Sequence, residues 1–355
     1  MNKRIEKLVS SLSLAKIDQM ILSDHYNILY FTGLKLHVGE RLLVLLISQD
    51  KKPILFVNRL FPLIANNDLD IYYYDDIENP IKIIKNALTG KIIGVDKNWP
   101  AGFLIRLNEI YQAHFVCGSD IIDHIRAIKD ECEKKLMIKS SEINDKIMNK
   151  IVLDFYDGIS EIEIANKLKS YFYEETGIEG SFEAIVAFQE NGANPHAMPT
   201  SRKLRTGDSI LIDMGGKYQD YCSDMTRTFF WKKDELGAIY DIVKKANLAA
   251  IAKIRPGVSF AEVDQAARSI INDAGYGQYF THRTGHGIGL EVHEPYDVAS
   301  NNHRIIESGM CFSIEPGIYI PNVGGVRIED LVLVDDKDVI VLNHFSKDKL
   351  ILKEC

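Results

Sequence analysis

Three of the chain's ten histidines lie close together in a segment where glycines alternate with apolar residues. His282, His286 and His293 fall within residues 281–294, where the glycines at 285, 287 and 289 let the backbone approach another group closely. A single histidine beside a glycine-rich turn is most often a surface residue, but three held in this way indicate a site. The alternation that follows predicts a strand with Glu291 and His293 on one face.

Carboxylates embedded in apolar runs are the second chemical signal. Asp213 ends one such run and Asp224 follows eleven residues later, a spacing that suits two strands of one hairpin. Glu315 ends another apolar run, and Glu329 lies inside a third. In that third run Arg327 and Glu329 are predicted to share one face of a strand. Four carboxylates in strand cores indicate a charged site within the fold.

Burying unpaired carboxylates is costly, so these four require cationic partners. Arg227 and Arg327 are two candidate charges nearby in the sequence. Two divalent metal ions carry four positive charges and match four carboxylates better than one ion does. An oxygen-rich set with one histidine and no thiolate favours Mn²⁺, Co²⁺ or a similar ion over structural zinc. A pair of such ions activates water for hydrolysis.

The motifs resemble those of the pita-bread metallopeptidases, and more closely those of the Xaa-Pro dipeptidases (prolidases) and aminopeptidases P. The resemblance rests on Asp213 with Asp224, Gly-His-Gly-Ile-Gly-Leu at 285–290, His-Glu at 293–294, Ile-Glu-Pro-Gly at 314–317 and Gly-Val-Arg-Ile-Glu-Asp at 325–330. It covers the C-terminal domain, and the N-terminal domain resembles the creatinase/prolidase type less specifically. The resemblance implies a metallopeptidase with two divalent ions, Mn or Co, acting on short proline-containing peptides.

The resemblance also implies a role for each matching residue. The metal ligands it implies are Asp213, Asp224, His286, Glu315 and Glu329, of which Asp224 and Glu329 bridge the two ions. The catalytic residues it implies are His196, His282, His293, Glu315 and Arg327. Among them Glu315 is the proton acceptor, the three histidines position substrate and stabilise the tetrahedral intermediate, and Arg327 holds the metal-binding carboxylates.

The choice between dipeptidase and aminopeptidase P depends on what binds the free carboxylate of a dipeptide, a task that arginine performs best. Several prolidases carry an arginine shortly after the His-Glu motif, where this chain has Pro-Tyr-Asp at 295–297. Arg283 is an alternative carboxylate partner, although a solvated or structural arginine fits equally well. We favour the dipeptidase, with aminopeptidase P as the alternative. A non-catalytic peptide-binding protein is a minority hypothesis, because all five ligands are present.

A polar cluster in the N-terminal domain contains His37, Glu40 and Arg41, just before an apolar strand. One interpretation is a solvated loop. The other is a substrate-binding loop that closes the active site of a neighbouring subunit over a short peptide. Members of the resembling family are commonly dimers, so a homodimer is expected.

The elements that position these residues divide the chain into residues 1–126 and 127–355. In the first part helices alternate with strand candidates at 19–22, 28–31, 42–47, 54–57 and 92–95, which predicts an α/β domain. The second part twice has the order helix, helix, strands, with capping boxes at Ser160 and Ser259. Its predicted strands are residues 181–188, 209–213, 222–231, 310–314, 326–334 and 339–342. The fold class expected for it is α+β, a pita-bread domain with a curved antiparallel sheet.

The composition narrows the functional classes. The chain has 355 residues and a formal net charge of −8 with no basic tract, which argues against nucleic acid as a partner. The longest apolar run, residues 42–47, is too short to span a membrane, and the N-terminal residues predict an amphipathic helix rather than a signal peptide. Five scattered cysteines, including Cys355, indicate reduced thiols and a cytoplasmic protein.

Overall fold

The computed structural model describes residues 2–63 and 68–353. The chain divides into two compact units, Met1–Arg126 and Ala127–Cys355. Helices of the first part of the chain are α1 (Lys3–Leu14), α2 (His25–Thr32), α3 (Pro80–Ala87), α4 (Ala101–Ile110) and α5 (Ser119–Ala127). Its strands are β1 (Gln19–Leu22), β2 (Val44–Ser48), β3 (Ile54–Asn58), β4 (Asp70–Tyr74), β5 (Ile92–Val95) and β6 (His114–Cys117).

The strands of the N-terminal unit form one mixed sheet in the order β4-β3-β2-β1-β5-β6. The central strand β1 pairs antiparallel with β2 and parallel with β5. Residues on β1, β2 and β5 are almost all buried, because helices cover the sheet. Burial of both faces explains why these strands are continuous apolar runs and do not alternate with polar residues.

The strand predicted at residues 28–31 is wrong, because these residues belong to α2. Asp24 caps this helix by accepting hydrogen bonds from the backbone N–H groups of Tyr26 and Asn27. Gly33 ends it with a left-handed backbone at φ 72°. Since a short apolar run has no clear period of its own, the cap residues on either side decide its structure.

The C-terminal unit has four longer helices and two main sheets. Its helices are α6 (Glu131–Ile151), α7 (Glu161–Thr176), α8 (Gly237–Lys253) and α9 (Phe260–Asp273), with short 3₁₀ turns at Gln189–Ala193 and Gly277–Tyr279. The strands of its first half are β7 (Ile185–Phe188), β8 (Ser209–Met214), β9 (Lys217–Tyr218), β10 (Tyr221–Cys222) and β11 (Met225–Trp231). The remaining strands are β12 (Gly285–Gly287), β13 (Glu294–Val298), β14 (Cys311–Ile314), β15 (Gly317–Ile320), β16 (Gly324–Arg327), β17 (Asp330–Val334), β18 (Val339–Val341) and β19 (Ile351–Leu352).

Each main sheet packs its apolar face on one pair of helices. The first sheet has the order β19-β11-β8-β7 and shares a core with α6 and α7. The second has the order β13-β12-β14-β17-β18 and shares a core with α8 and α9. Ser160 and Ser259 form capping boxes with Glu163 and Glu262, at the starts of α7 and α9. Both halves therefore have the order helix, helix, strands.

Three predicted strands are interrupted, and a fourth is shortened. The run at 222–231 breaks at residues 223–224, between β10 and β11. Residues 288–293 form a bent loop between β12 and β13, so the strand expected to carry Glu291 and His293 is wrong. The run at 326–334 breaks at residues 328–329, between β16 and β17. The run at 181–188 is a strand only from Ile185 onward.

Two further observations concern the chain as a whole. No helix within the described ranges is long and apolar enough to cross a membrane. Cys117, Cys132, Cys222 and Cys311 are free, and Cys355 lies outside the described residues.

Candidate active site

The four carboxylates converge because two pairs of strands end at one place. Asp213 lies on β8 opposite Thr226 of β11, and Asp224 comes immediately before β11. In the second sheet Glu315 follows β14, and Glu329 comes immediately before β17, whose Asp330 pairs with Ile314. The backbone N–H of Glu329 donates to the carbonyl of Thr226 at 3.0 Å, which joins the two halves.

His286 occupies the middle of β12, between two glycines that no other residue could replace. A Cβ atom at Gly285 would lie 1.9 Å from the carbonyl oxygen of Ser313, and one at Gly287 would lie 2.3 Å from that of Pro295. Nδ1 of His286 lies 3.0 Å from the Gly287 carbonyl oxygen. Nε2 therefore faces the carboxylates, 3.8 Å from Asp224 Oδ2 and 3.6 Å from Glu315 Oε1.

These groups fit a metal centre. Ligand atoms of Asp224, His286 and Glu329 all lie within 4.8 Å of one another, and all three residues are buried. Three carboxylate oxygens are buried without any hydrogen-bond partner: Oδ1 of Asp213, Oδ1 of Asp224 and Oε1 of Glu329. Because a buried anionic oxygen without a partner is strongly unfavourable, this donor set calls for cations.

The acid–base properties of the cluster lead to the same conclusion. Burial, together with the neighbouring carboxylates, raises the pKa values of Asp224 and Glu329 well above their usual range. Burial raises the pKa of Glu315 to about 7, and the negative charge of Asp213 adds to this effect. Burial lowers the pKa of His286 to about 3, so its ring is neutral and able to act as a ligand.

Arg327 is the cation that the chain itself supplies. Its Nη2 donates to Asp213 Oδ2 at 2.7 Å, and its Nε donates to Oγ1 of Thr226 at 3.0 Å. Thr226 Oγ1 in turn donates to Glu329 Oε2 at 2.7 Å. The other candidate cation, Arg227, is not a partner of these carboxylates, because its Nη2 binds the buried Asp330 at 2.7 Å.

His282 and His293 line the same cavity as the carboxylates but differ in what their rings contact. Nδ1 of His282 lies 2.6 Å from the Arg283 carbonyl oxygen and Nε2 lies 2.9 Å from the Tyr319 hydroxyl, so both ring nitrogens are engaged. The same hydroxyl accepts from Nη1 of Arg327 at 2.8 Å. His293 instead packs edge-on against His286, with ring centroids 4.2 Å apart. Within the described chain, the His293 ring has no hydrogen bond to a protein atom.

A cavity of about 700 Å³ opens beside this cluster. Side chains of the five predicted ligands line it, together with His196, His282, His293, Arg283 and Arg327. Phe182, Ile185 and Val292 give it an apolar wall. Arg283 forms an ion pair with Asp297 at 3.0 Å. The structure thus brings together every predicted site residue of the C-terminal unit.

His37 and Arg41 belong to the N-terminal unit, where they line another cavity of about 500 Å³. Nε and Nη2 of Arg41 donate to the two carboxylate oxygens of Asp76, at 2.9 Å each. Its other terminal nitrogen binds Glu40 at 3.0 Å.

Several residues that support the site belong to no recognisable motif and were not predicted from the sequence. Glu161, at the start of α7, is fully buried and accepts from the backbone N–H groups of Phe188 and Thr200 and from the side chain of Asn191. It thereby ties down the segment that carries His196. Tyr319 and Thr226 were also missed, although a buried arginine such as Arg327 must have acceptors around it, and that requirement was a usable signal.

The fold and the site together define a two-domain metallopeptidase, and comparison with known proteins agrees. The model of metallopeptidase family M24 matches residues 135–336, and that of the creatinase/prolidase N-terminal domain matches residues 4–128. The chain belongs to metallopeptidase family M24, which confirms the predicted pita-bread family, the fold class and the enzyme class. Membership implies divalent metal ions, in agreement with the buried ligand cluster.

Individual relatives cover nearly the whole chain. An uncharacterized peptidase of Staphylococcus aureus strain USA300 is 35% identical over 97% of this chain and 99% of its own length. A dipeptidase from Pyrococcus horikoshii OT3 is 38% identical, with a TM-score of 0.93 and coverage of 98% of this chain and 100% of that one. A recombinant prolidase from Thermococcus sibiricus is 35% identical, with a TM-score of 0.91 and coverage of 99% of both chains.

Proposed function

We propose that this peptidase is an Xaa-Pro dipeptidase that uses two divalent ions, Mn²⁺ or Co²⁺, to hydrolyse the bond before proline. The observation that carries the proposal is the set of three partnerless carboxylate oxygens around the neutral His286. The similar structures named dipeptidase and prolidase support the choice of a dipeptide as substrate. Residues 1–126 then serve as the creatinase/prolidase-type N-terminal domain and residues 127–355 as the catalytic domain.

The proposed metal ligands are the five residues that surround the cluster: Asp213, Asp224, His286, Glu315 and Glu329. Two ions held by these residues would supply Lewis acidity, to the scissile carbonyl and to a water molecule that could then attack at neutral pH. The chain holds the ligands in place from behind. Arg327 and Thr226 restrain one oxygen each of Asp213 and Glu329, and this leaves the opposite oxygen of each carboxylate free to bind an ion.

Proton transfer is assigned to Glu315 and contact with the substrate to histidines. The Glu315 carboxylate lines the cavity beside the ligand cluster, where it can take up a proton from the attacking water and release it again during one turnover. His293 has ring nitrogens available to donate to the oxyanion, and the exposed ring of His196 lines the same cavity. His282 is held between Arg283 and Tyr319, so it acts on the substrate together with the Tyr319 hydroxyl.

Recognition of the dipeptide is assigned to the cavity rim and to its apolar wall. Proline after the scissile bond leaves no N–H to recognise, so its ring must be recognised by shape, for which Phe182, Ile185 and Val292 are available. Arg283 is the proposed partner of the substrate carboxylate. The proposal includes a homodimer in the cytoplasm, in which the loop with His37 and Arg41 closes the partner subunit's site. Arg41 then maintains the shape of that loop through Asp76 and does not bind the substrate directly.

The decisive experiment is a substrate-length profile with Mn²⁺ or Co²⁺ supplied. The expected result is faster hydrolysis, in kcat/KM, of an Xaa-Pro dipeptide than of Xaa-Pro-Yaa and longer peptides. A preference for the longer peptides would establish aminopeptidase P activity instead. A protein that binds no divalent ion and cleaves no Xaa-Pro peptide would overturn both proposals.

A further inference from the structure

A buried ion pair lies behind the loop that carries His293, and no part of the proposed chemistry uses it. Nζ of Lys129 lies 2.9 Å from Oε2 of Glu294, and the two side chains are 1% and 2% exposed. Lys129 comes just before α6, whereas Glu294 is the first residue of β13. Two charges so far apart in sequence and so completely buried require a reason, since a well-packed apolar pair of similar volume is often at least as stable.

Glu294 uses its carboxylate to close the loop at residues 288–293. Oε1 accepts from the backbone N–H groups of Leu290 at 2.9 Å and Glu291 at 3.3 Å. The carboxylate also packs against Gly289, where an added Cβ would lie 2.6 Å from Oε2. The loop has no regular strand pairing of its own, so this carboxylate supplies the hydrogen bonds that a sheet would otherwise provide.

Lys129 is a fixed point for that carboxylate. Its backbone N–H donates to the carbonyl of Gly309 at 2.8 Å, and the preceding residue, Ile128, forms a bridge with Met310 at the approach to β14. The ammonium group therefore has a firm base on the same sheet that holds His286. The loop that it fixes through Glu294 presents Val292 and His293 to the cavity.

We propose that Lys129 and Glu294 are positioning residues, whose buried ion pair holds the 288–293 loop so that His293 faces the metal-binding cluster. The part concerning catalysis rests on the proposed function, whereas the part concerning the loop does not. Removing the ammonium group takes away the cation that lies 2.9 Å from this buried carboxylate, and the loop then opens to hydrate it. Because a shift of about 1 Å in a catalytic group can cost on the order of a hundredfold in rate, a small opening is enough to be measured.

The test compares Lys129→Met with the double variant Lys129→Met/Glu294→Gln. The neutral amide of the double variant keeps an oxygen for the Leu290 and Glu291 amides but buries no charge. Lys167→Met is the control for loss of a lysine ion pair elsewhere in the same unit, because its more exposed pair with Asp154, at 2.6 Å, does not line the cavity. Amide hydrogen exchange of residues 288–293, Mn²⁺ affinity, kcat and KM are measured for each protein.

The expected result separates loop position from fold and from metal binding. Lys129→Met should speed exchange in the loop by at least about tenfold and lower kcat by at least about tenfold, while Mn²⁺ affinity changes by less than about threefold. The double variant should recover both loop exchange and kcat to within about threefold of the original protein, and Lys167→Met should change neither.

Two outcomes would overturn the inference. One is a folded Lys129→Met protein with unchanged loop exchange. The other is a parallel loss of kcat and Mn²⁺ affinity that the double variant does not reverse, which would indicate a general structural role. If Lys129→Met does not fold, the double variant decides. Loop exchange and kcat within about threefold of the original protein support the inference, and a loss of about tenfold in both overturns it. If the original protein cleaves no peptide, the proposed function fails, but the exchange measurement still tests the pair.

Discussion

Two cavities in the described parts of the chain, one in each unit, treat their charged groups in opposite ways. In the N-terminal cavity the Arg41 guanidinium is bound by Asp76 and Glu40, and Asp24 caps α2. Trp99 Nε1 is buried there without a partner, but it is uncharged. In the C-terminal cavity three anionic oxygens lack partners. Charged groups that pair with one another need no ligand and can serve a purely structural purpose. Buried carboxylate oxygens without partners instead require a ligand that the chain does not contain.

The largest expected effect comes from removing one of those anions. Glu329→Gln replaces a buried carboxylate by an amide of the same shape, and kcat should fall on the order of 10³-fold because the charge that binds the metal is lost. Calorimetric titration with Mn²⁺ should show weaker or fewer sites. Asp24→Asn makes the same chemical change in the N-terminal cavity, and asparagine can still cap α2. The kcat of this variant should therefore equal that of the original protein. Equal losses in both variants would contradict the contrast between the cavities.

The second prediction concerns metal removal at different pH values. The pKa of Glu315 is raised to about 7 from an ordinary 4.5, and the pKa values of Asp224 and Glu329 are raised as well. A raised pKa favours the protonated folded state, so this stabilising contribution is complete below the ordinary value and is lost as pH rises through the folded-state value. The metal-free protein should therefore lose stability between about pH 5 and pH 8.

The measurement is the Tm of chelator-treated protein with and without Mn²⁺. The increase in Tm on adding Mn²⁺ should be larger at about pH 8 than at about pH 5, because the ligands are then deprotonated and repel one another until the ions bind. An increase that is the same at both values would show that the carboxylates are not the groups that bind the metal.

Comparison of the two cavities also shows which features of the site could be predicted from the sequence. The four carboxylates could be singled out from the sequence, because an apolar run that ends in a carboxylate has few structural uses. The choice of His286 among the three clustered histidines came only from the resemblance to the family. The need of Arg327 for acceptors could be anticipated, but not that Thr226 and Tyr319 meet it, since a threonine or tyrosine on a strand looks the same whether it bonds to Arg327 or to solvent. The path of residues 288–293 was predicted wrongly for a related reason. Alternation suggested a strand, but the Glu294 carboxylate accepts local hydrogen bonds from the loop backbone, and the Cys222 N–H donates a long-range one to the Gly289 carbonyl, so that these residues form a loop.

The third prediction concerns the rim of the C-terminal cavity. Arg283→Ala should raise KM for an Xaa-Pro dipeptide about tenfold, the effect expected from losing a charge-assisted hydrogen bond, with little change in kcat. The KM for a longer peptide, whose carboxylate lies farther along the chain, should change much less. Arg283→Lys should restore only part of the affinity, because an ammonium group cannot bind a carboxylate with two parallel bonds. An unchanged KM for the dipeptide would remove Arg283 from substrate recognition.

The smallest expected effect is that of Arg41→Ala, the corresponding change in the N-terminal cavity. Its guanidinium already binds Asp76 with two nitrogens, so little donor capacity is left for a substrate, and KM should change by less than about twofold. An exposed ion pair contributes little to stability, so Tm should shift by no more than about 2 °C. A KM increase near tenfold that appears only at concentrations where the protein is dimeric would contradict this prediction. It would show that Arg41 exchanges Asp76 for a substrate or for the partner subunit, and that the satisfied charges of this cavity are a resting state rather than a purely structural arrangement.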